Sequence, residues 1–315
     1  MVQFGEFKDL CSQASSYALC NLFYLQLQRE APGVLGPSSQ RPSAPVGINP
    51  ECGIPKLHGT DGALSNIANN VLCGVGFLVT AALLWGCQKR IAAVGRVEFR
   101  ALLSTYLVSL ILQIVTGGAL LEQGTQAIGA LTAIHCGIVA SLFWVLLWNA
   151  FTTTQLLDDG RVVSVMIMHG IQFAFFLVTL YISLDTAFGF TSAFGESSTP
   201  PDALRSVPLF VLTSIWPGAA VLISLGIISY VSLGILHERR PFWIYVGAIV
   251  VFIVAQVFRL SPVGTSICES SNQRVDGTFI ATFLETVAIV VMYYGWADMT
   301  KGACVSFLRS CVPFD

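Results

Sequence analysis

The stretch "NIANNVLCGVGFLVTAALLWGC", residues 66–87, contains no charged side chain and is mostly apolar. A helix needs roughly 17 to 25 such residues to cross the ~30 Å hydrocarbon core of a bilayer. The stretch therefore predicts a transmembrane helix. Six further apolar windows of similar or greater length follow along the chain: 101–121, 127–151, 162–184, 207–236, 242–258 and 278–297.

The composition of the whole chain agrees with these windows. Of the 315 residues, 54% are hydrophobic and 11% are charged, whereas soluble domains carry roughly 25% charged residues. The windows are continuous apolar runs without the alternation of a membrane β-barrel. We therefore predict an all-α polytopic membrane protein, a bundle of seven transmembrane helices. The net charge of −2 gives no indication of a nucleic-acid partner. Pro208 and Pro217 predict tilt or a kink in the fifth window.

Basic residues in short loops predict the orientation, because they are retained on the cytosolic side. The segment "QKRIAAVGRVEFR", which follows the first window, holds four of them: Lys89, Arg90, Arg96 and Arg100. This segment is predicted to be cytosolic, so the N-terminus is lumenal and the C-terminus cytosolic. The chain then divides into a lumenal tail with a Pro/Gly/Ser-rich linker (1–65), a seven-helix domain (66–300) and a short cytosolic tail (301–315). The apolar start of the lumenal tail is suited to docking.

The nine cysteines separate by compartment. Four fall on the predicted lumenal side, where disulfides form: Cys11, Cys20, Cys52 and Cys268. Their even number predicts two disulfides and leaves three pairings open. Because Cys268 alone lies outside the tail, in the loop "TSICESSNQRVDGTF" (265–279), we expect it to bond to Cys11, Cys20 or Cys52. That bond would pin a mobile tail across the lumenal face.

The remaining cysteines have less specific interpretations. Cys73 and Cys136 lie inside windows, where a thiol usually packs like a small apolar side chain. Three lie at or beyond cytosolic helix ends, where free thiols and S-palmitoylation are both open: Cys87, Cys304 and Cys311.

Polar side chains inside apolar windows are functional candidates, because burying them in a membrane is costly. They are Glu285, Gln256, His135, His169 and Gln172. For Glu285, two alternatives are open: hydrogen bonding inside the bundle, near Gln256 or His135, or docking of a partner helix. Small residues repeat every four positions in the third window, which allows either close internal packing or a groove for a partner: Gly129, Ala133, Gly137 and Ser141.

Catalytic and metal motifs are missing from the sequence. The chain has four histidines and neither an HxxxH nor an HExxH pattern, although zinc enzymes need three converging protein ligands. It also has no GxSxG nucleophile elbow. We therefore predict no enzymatic activity, no cofactor and no metal.

Four motifs resemble the fungal chitin synthase export chaperones. "TSICESSNQRVDGTFIATFLETVAIVVMYYGWADMT" (265–300) resembles the closing signature of that family, and "AVGRVEFR" (93–100) its first cytosolic loop. "FWVLLWNAFTTTQLLDDGRVVSV" (143–165) resembles its third helix and the turn beyond, and "FKDLCSQASSYALC" (7–20) its N-terminal cysteine pair. The matching positions are Gly95, Arg96, Asn149, Asp159, Gly160, Asp276, Gly277 and Trp296.

The resemblance implies a non-enzymatic chaperone in the endoplasmic reticulum membrane, which chitin synthase needs to fold and to reach the cell surface for cell-wall chitin synthesis. It implies chitin synthase as the membrane client and leaves open transit to the plasma membrane with that client. It says nothing about oligomers.

Two other classes share the seven-helix topology. A seven-helix receptor or sensor would require a ligand cavity and a cytosolic coupling surface, but the seventh window has neither a Lys nor an Asn-Pro step. A transporter or channel would require broken helices around a site at mid-membrane depth. Pro217 with Gly218 is the one candidate break in the sequence.

Overall fold

The computed structural model describes residues 4–14, 16–36, 46–54, 66–90, 93–155, 160–195 and 198–310, the last ten by backbone only. Regular structure in these segments is helical, apart from one isolated antiparallel bridge between Glu6 and Arg205. Seven of the helices are long and apolar enough to cross a membrane. The predicted all-α, seven-helix class is confirmed.

Three short helices lie outside the spans: α1 (Lys8–Gln13), α2 (Cys20–Glu30) and α10 (Val263–Ser270). Six spans are built on α3 (Ile67–Lys89), α4 (Arg96–Ile114), α5 (Gln126–Thr153), α6 (Val162–Phe188), α9 (Arg239–Leu260) and α11 (Gly277–Ser310). The fifth span, Val207–Ile235, consists of α7 (Val207–Phe210) and α8 (Trp216–Ser229) together with two π turns.

The π turn Val211–Ile215 lies directly before Pro217 in the fifth span. Proline has no backbone N–H to donate within a helix, and its ring clashes with the preceding turn. A wider turn accommodates this defect. The second π turn, Tyr230–Ile235, has no proline, and we have no physical account of it.

Several helix boundaries differ from the predicted ones. α3 ends at Lys89 and α4 begins at Arg96, so three of the four basic residues assigned to a loop are helical. The predicted end of the sixth span at residue 258 is wrong, because α9 continues to Leu260 and includes Arg259. The loop predicted over 265–279 is wrong at its start, where α10 forms. Charged side chains at helix ends lower the hydropathy of a window, but they do not stop a helix whose backbone must stay hydrogen-bonded in lipid.

Six spans form a closed ring, in which α3 packs on α4, α4 on α5, α5 on α8, α8 on α9, α9 on α11, and α11 on α3. α6 lies outside this ring, against α5 and α2. It is the least buried of the seven spans. One end of the bundle, here called the disulfide face, is formed by residues 4–14, 16–36, 46–54, 115–126, 188–195, 198–207 and 260–277. The opposite face is formed by residues 87–90, 93–100, 149–155, 160–164, 235–241 and 296–300.

The N-terminal segment is part of the core at the disulfide face. Phe7, Leu22, Phe23 and Leu27 are at most 1% exposed. They pack with side chains of α5, α6 and α7 in one continuous cluster. Full burial of such a side chain contributes about 1.5–3 kcal/mol relative to exposure in water. The predicted docking of the apolar start of the tail is therefore confirmed, since its side chains are packed into the bundle.

Candidate functional site

Two disulfides fix the disulfide face. Cys11 pairs with Cys20, with their Cα atoms 5.6 Å apart. Cys52 pairs with Cys268, with a Cα–Cα distance of 6.2 Å and a sequence separation of 216. The first bond closes the turn between α1 and α2, and the second joins the N-terminal segment to α10. Of the three pairings left open by the sequence, this is the one formed.

Polar side chains of α2 anchor it to three parts of the bundle. Asn21 Nδ2 donates to the carbonyl oxygen of Thr116 at 3.1 Å and to Thr132 Oγ1 at 3.2 Å. Arg29 donates to the carbonyl oxygens of Ala187 at 3.2 Å and Gly195 at 3.0 Å. α2 is thus bonded to the end of α4, to α5 and to the segment after α6.

A buried ion pair lies beneath the disulfide face. Arg259 of α9 and Glu285 of α11 approach to 2.8 Å, with only 18% and 13% of their side chains exposed. Gln256 Nε2 donates to the other carboxylate oxygen of Glu285, also at 2.8 Å. Both oxygens of Glu285 are therefore paired inside the bundle. Gln256 was an expected neighbour, whereas Arg259 lies one residue beyond the end of the sixth predicted window, 242–258.

The spacing of Gln256 and Arg259 contains a signal that was missed. The two residues are three positions apart, so they lie on the same face of a helix. Extending the sixth window by one residue would have placed both beside Glu285, because the two helices are antiparallel neighbours.

Further polar pairs line the same half of the bundle. Gln113 Nε2 donates to Thr282 Oγ1 at 2.8 Å, and Tyr106 and Thr286 share a hydrogen bond of 3.2 Å. The expected neighbour His135 is not bonded to Glu285; its Nδ1 pairs with Thr116 Oγ1 at 3.0 Å. These pairs satisfy polar groups between helices, as in other membrane bundles.

The small-residue stripe of α5 faces neighbouring helices. A Cβ on Gly129 would collide with Leu25 of α2, and one on Gly137 would lie 2.8 Å from the ring of Phe176 in α6. Ala133 and Ser141 are 0% and 1% exposed. The stripe thus lets α2 and α6 approach α5 closely, and it offers no open surface to a partner.

Family-motif positions meet at the opposite face, around Glu98. This carboxylate is completely buried, and its Oε1 accepts from the backbone N–H of Gly160 at 2.9 Å. Asn149 Nδ2 donates to the carbonyl oxygen of Glu98 at 3.0 Å. The sequence analysis did not select Glu98, although it lies within the quoted "AVGRVEFR". Asp159 lies outside the described residues.

Trp296 closes the same face. Its Nε1 donates to the carbonyl oxygen of Val94 at 3.0 Å. Its ring stacks on Phe99, with ring centres 4.9 Å apart.

Gly95 has a φ of +66°, which favours glycine, at the turn that enters α4. Arg96 follows as the first residue of α4, and its carbonyl oxygen faces the buried Cys87 thiol at 3.8 Å. Burial leaves Cys87 inaccessible to acylation.

Asp276 and Gly277 form the start of α11 at the disulfide face. Asp276 Oδ1 accepts from the Thr278 hydroxyl at 2.6 Å and from the Phe279 N–H at 3.1 Å. Gly277 packs so closely on the carbonyl oxygen of Phe258 that a Cβ there would collide with it. The Asp-Gly step therefore caps α11 and permits its contact with α9.

In the part of the chain described, no three His, Cys, Asp or Glu side chains form a group that could hold a metal ion.

The comparisons with known proteins agree with these motifs. A sequence model described as chitin synthase export chaperone matches residues 3–304. The chain belongs to the chitin synthase export chaperone family. The match begins before α1, so the N-terminal segment and the spans belong to the same family unit.

Curated fungal relatives support the membership in the chitin synthase export chaperone family. A relative of that name from Coccidioides immitis is 27% identical over 300 residues, which cover 95% of this chain and 83% of the relative. One from Aspergillus fumigatus is 26% identical over 298 residues, with coverages of 95% and 83%. One from Kluyveromyces lactis is 24% identical over 310 residues, with coverages of 97% and 94%. No solved structure matches this chain.

Proposed function

We propose that this chain is a non-enzymatic membrane chaperone that a chitin synthase requires to fold and to leave the endoplasmic reticulum for the cell surface. The family match over residues 3–304 carries this proposal. The relatives that align along nearly the whole chain are named as chaperones for chitin synthase export. The same match favours a chaperone over a seven-helix receptor or sensor.

The distribution of polar groups supports a role in the plane of the membrane. Inside the bundle, the polar side chains of Glu285, Gln256 and His135 are bonded to other residues of this chain. A large apolar surface remains exposed on the spans, including Met166 and Phe173 of α6. Chitin synthase, as a membrane client, would meet this surface within the bilayer.

The arrangement of the two faces supports a lumenal N-terminus. Both disulfides lie at the disulfide face, and disulfides persist in the oxidising lumen of the secretory pathway. Lys89 and Arg90 lie at the opposite face, as expected for a cytosolic end. In sealed microsomes, a C-terminal tag should therefore be cleaved by added protease while an N-terminal tag is protected.

Deleting the gene for this chain tests the function. We expect a fluorescently tagged chitin synthase to remain in the endoplasmic reticulum and cell-wall chitin to fall, while a general secretion reporter reaches the surface. Re-expression of the full chain should restore both. Normal surface delivery of every chitin synthase isoform in the deletion strain would refute the proposal.

A further inference from the structure

A groove runs between α4 and α6 on the outside of the bundle. Both helices pack on α5, but they touch each other only weakly. Ser104 and Val108 are exposed on one face of α4, and Met166, His169 and Phe173 are exposed on one face of α6. These five residues, together with the hydrogen bond between Gln172 and Thr105 beneath them, define the α4–α6 groove. The groove faces lipid, because both helices are spans.

A chain of hydrogen bonds crosses the floor of the groove and ends at His169. Thr105 Oγ1 donates to the carbonyl oxygen of Ala101 at 2.8 Å, and Gln172 Nε2 donates to Thr105 Oγ1 at 3.1 Å. The carboxamide oxygen of Gln172 then lies 2.9 Å from His169 Nδ1. Because a carboxamide oxygen can only accept, Nδ1 must carry the proton.

The tautomer leaves Nε2 of His169 as an unused acceptor. Nε2 has no hydrogen-bond partner among the described residues, and the side chain is exposed. His169 lies seven residues after Val162, which is about 10 Å along the helix. Polar groups at membrane depth normally face a partner, since hydrocarbon offers them none. The other histidine of the spans has such a partner, because His135 Nδ1 pairs with Thr116 Oγ1.

A carboxyl group suits Nε2 in both of its protonation states. A protonated carboxyl donates to the neutral ring, and a carboxylate accepts from the imidazolium. Beside His169, Gly170 has open space around its Cα. A partner helix can therefore bring its backbone close at this point.

We propose that the α4–α6 groove binds a transmembrane helix of the client that carries a carboxyl side chain at the level of His169. The inference rests on the proposed function and names the surface through which this chain would contact its client.

Site-specific crosslinking tests the surface directly. A photoreactive amino acid replaces Gly170 in the full chain, in cells that also express a tagged chitin synthase. We expect crosslinks to a chitin synthase span that contains an Asp or Glu. The same probe in place of Leu222, an exposed residue of α8, serves as the control and should give much weaker crosslinks. Crosslinks only to lipid, or to a second copy of this chain, would overturn the proposal.

Substitution of His169 tests the proposed hydrogen bond to a carboxyl group of the client. His169→Leu should reduce the chitin synthase that co-purifies in mild detergent by about tenfold or more, as expected for loss of one charge-assisted hydrogen bond. The exposed position should leave thermal stability unchanged, and this is measured on the same preparation. Replacement of the crosslinked client carboxyl by Leu should reproduce the loss. The control Tyr230→Leu, at another exposed site, should have no effect.

The outcomes separate this inference from the proposed function. If deletion of the chain strands the synthase but His169→Leu leaves co-purification and export unchanged, the groove is not the client site and the function stands. If deletion has no effect on any synthase, the function itself fails.

Discussion

The disulfide face and the opposite face of the bundle are held together by different interactions. At the disulfide face, one disulfide joins segments distant in sequence, a second closes the turn between α1 and α2, and a buried ion pair lies beneath them. At the opposite face, connections between successive spans are held by hydrogen bonds, such as that from Trp296 to Val94 and that from Gly160 to Glu98.

The difference follows from the lengths of chain that must be ordered. A short connection between packed helices loses little entropy on closing, so hydrogen bonds of about 1 kcal/mol each are sufficient. The N-terminal segment is joined to the bundle through residues 31–66, and it needs stronger constraints. We therefore expect substitutions in the disulfides and in the buried ion pair of the disulfide face to have larger effects than those at the opposite face, and an exposed ion pair to have the smallest effect.

The largest effect should come from the buried ion pair. Glu285→Ala leaves Arg259 buried without its carboxylate, which typically costs about 3–5 kcal/mol. The measurement is the midpoint of unfolding by SDS in mixed micelles. The double variant Arg259→Leu with Glu285→Leu should recover much of the loss, because neither charge remains. A single variant as stable as the native protein would show that the pair does not hold α9 to α11.

The long-range disulfide should come second. Cys268→Ser should lower stability by about 2–4 kcal/mol. Cys20→Ser should cost less in the same assay, because its bond closes a much shorter loop. Peptide mapping without reductant should find Cys52 joined to Cys268. A free Cys268 in protein from oxidising microsomes would contradict the assignment, and equal losses in the two variants would argue against the loop-length explanation.

At the opposite face, Trp296→Phe should cost only about 1 kcal/mol. The change removes the indole N–H that bonds Val94 and keeps an aromatic ring against Phe99. Thermal unfolding in detergent measures the difference. A loss as large as that of Glu285→Ala would contradict the contrast between the two faces.

The smallest effect should come from Lys8 and Asp202, an exposed pair at the disulfide face. Their side chains bond at 2.6 Å, and this bond raises the pKa of Lys8 and lowers the pKa of Asp202. The contribution of Asp202 is lost as pH falls through its lowered pKa, and that of Lys8 as pH rises through its raised one. Lys8→Met should therefore lose stability slightly near neutral pH, and not at a pH below the lowered pKa of Asp202, where the carboxylate is protonated. An equal difference at both pH values would exclude the ion pair as its cause.

Much of the fold could be predicted because the length and the hydropathy of a sequence segment are enough to identify a transmembrane helix. All seven windows correspond to helices, including the window around Glu285. The neighbour Gln256 was also within reach, since it lies in an apolar window. Arg259 was missed for the same reason that the windows succeeded: a charged residue at a helix end lowers local hydropathy without ending the helix.

The insertion of α2 could not be predicted from local sequence. α2 spans eleven residues, too few to cross a bilayer. Its buried Asn21 would be unfavourable alone, and its amide nitrogen donates to Thr116 and Thr132, about a hundred residues away. Similarly, nothing near Cys52 in the sequence indicates that its partner is Cys268 rather than Cys11 or Cys20. These features depend on which segments the ring of spans brings together.

The bond between Cys52 and Cys268 also sets an order on biosynthesis. With the lumenal N-terminus proposed above, Cys11 can meet Cys20 as soon as both have been translocated, but Cys52 must wait until the chain has been extended by 216 residues to Cys268. At roughly 5–20 residues per second, the wait is about 10–40 s. During that interval six spans are inserted, and the Cys52 thiol is open to oxidoreductases. The final closure therefore marks a chain whose first six spans are already in place.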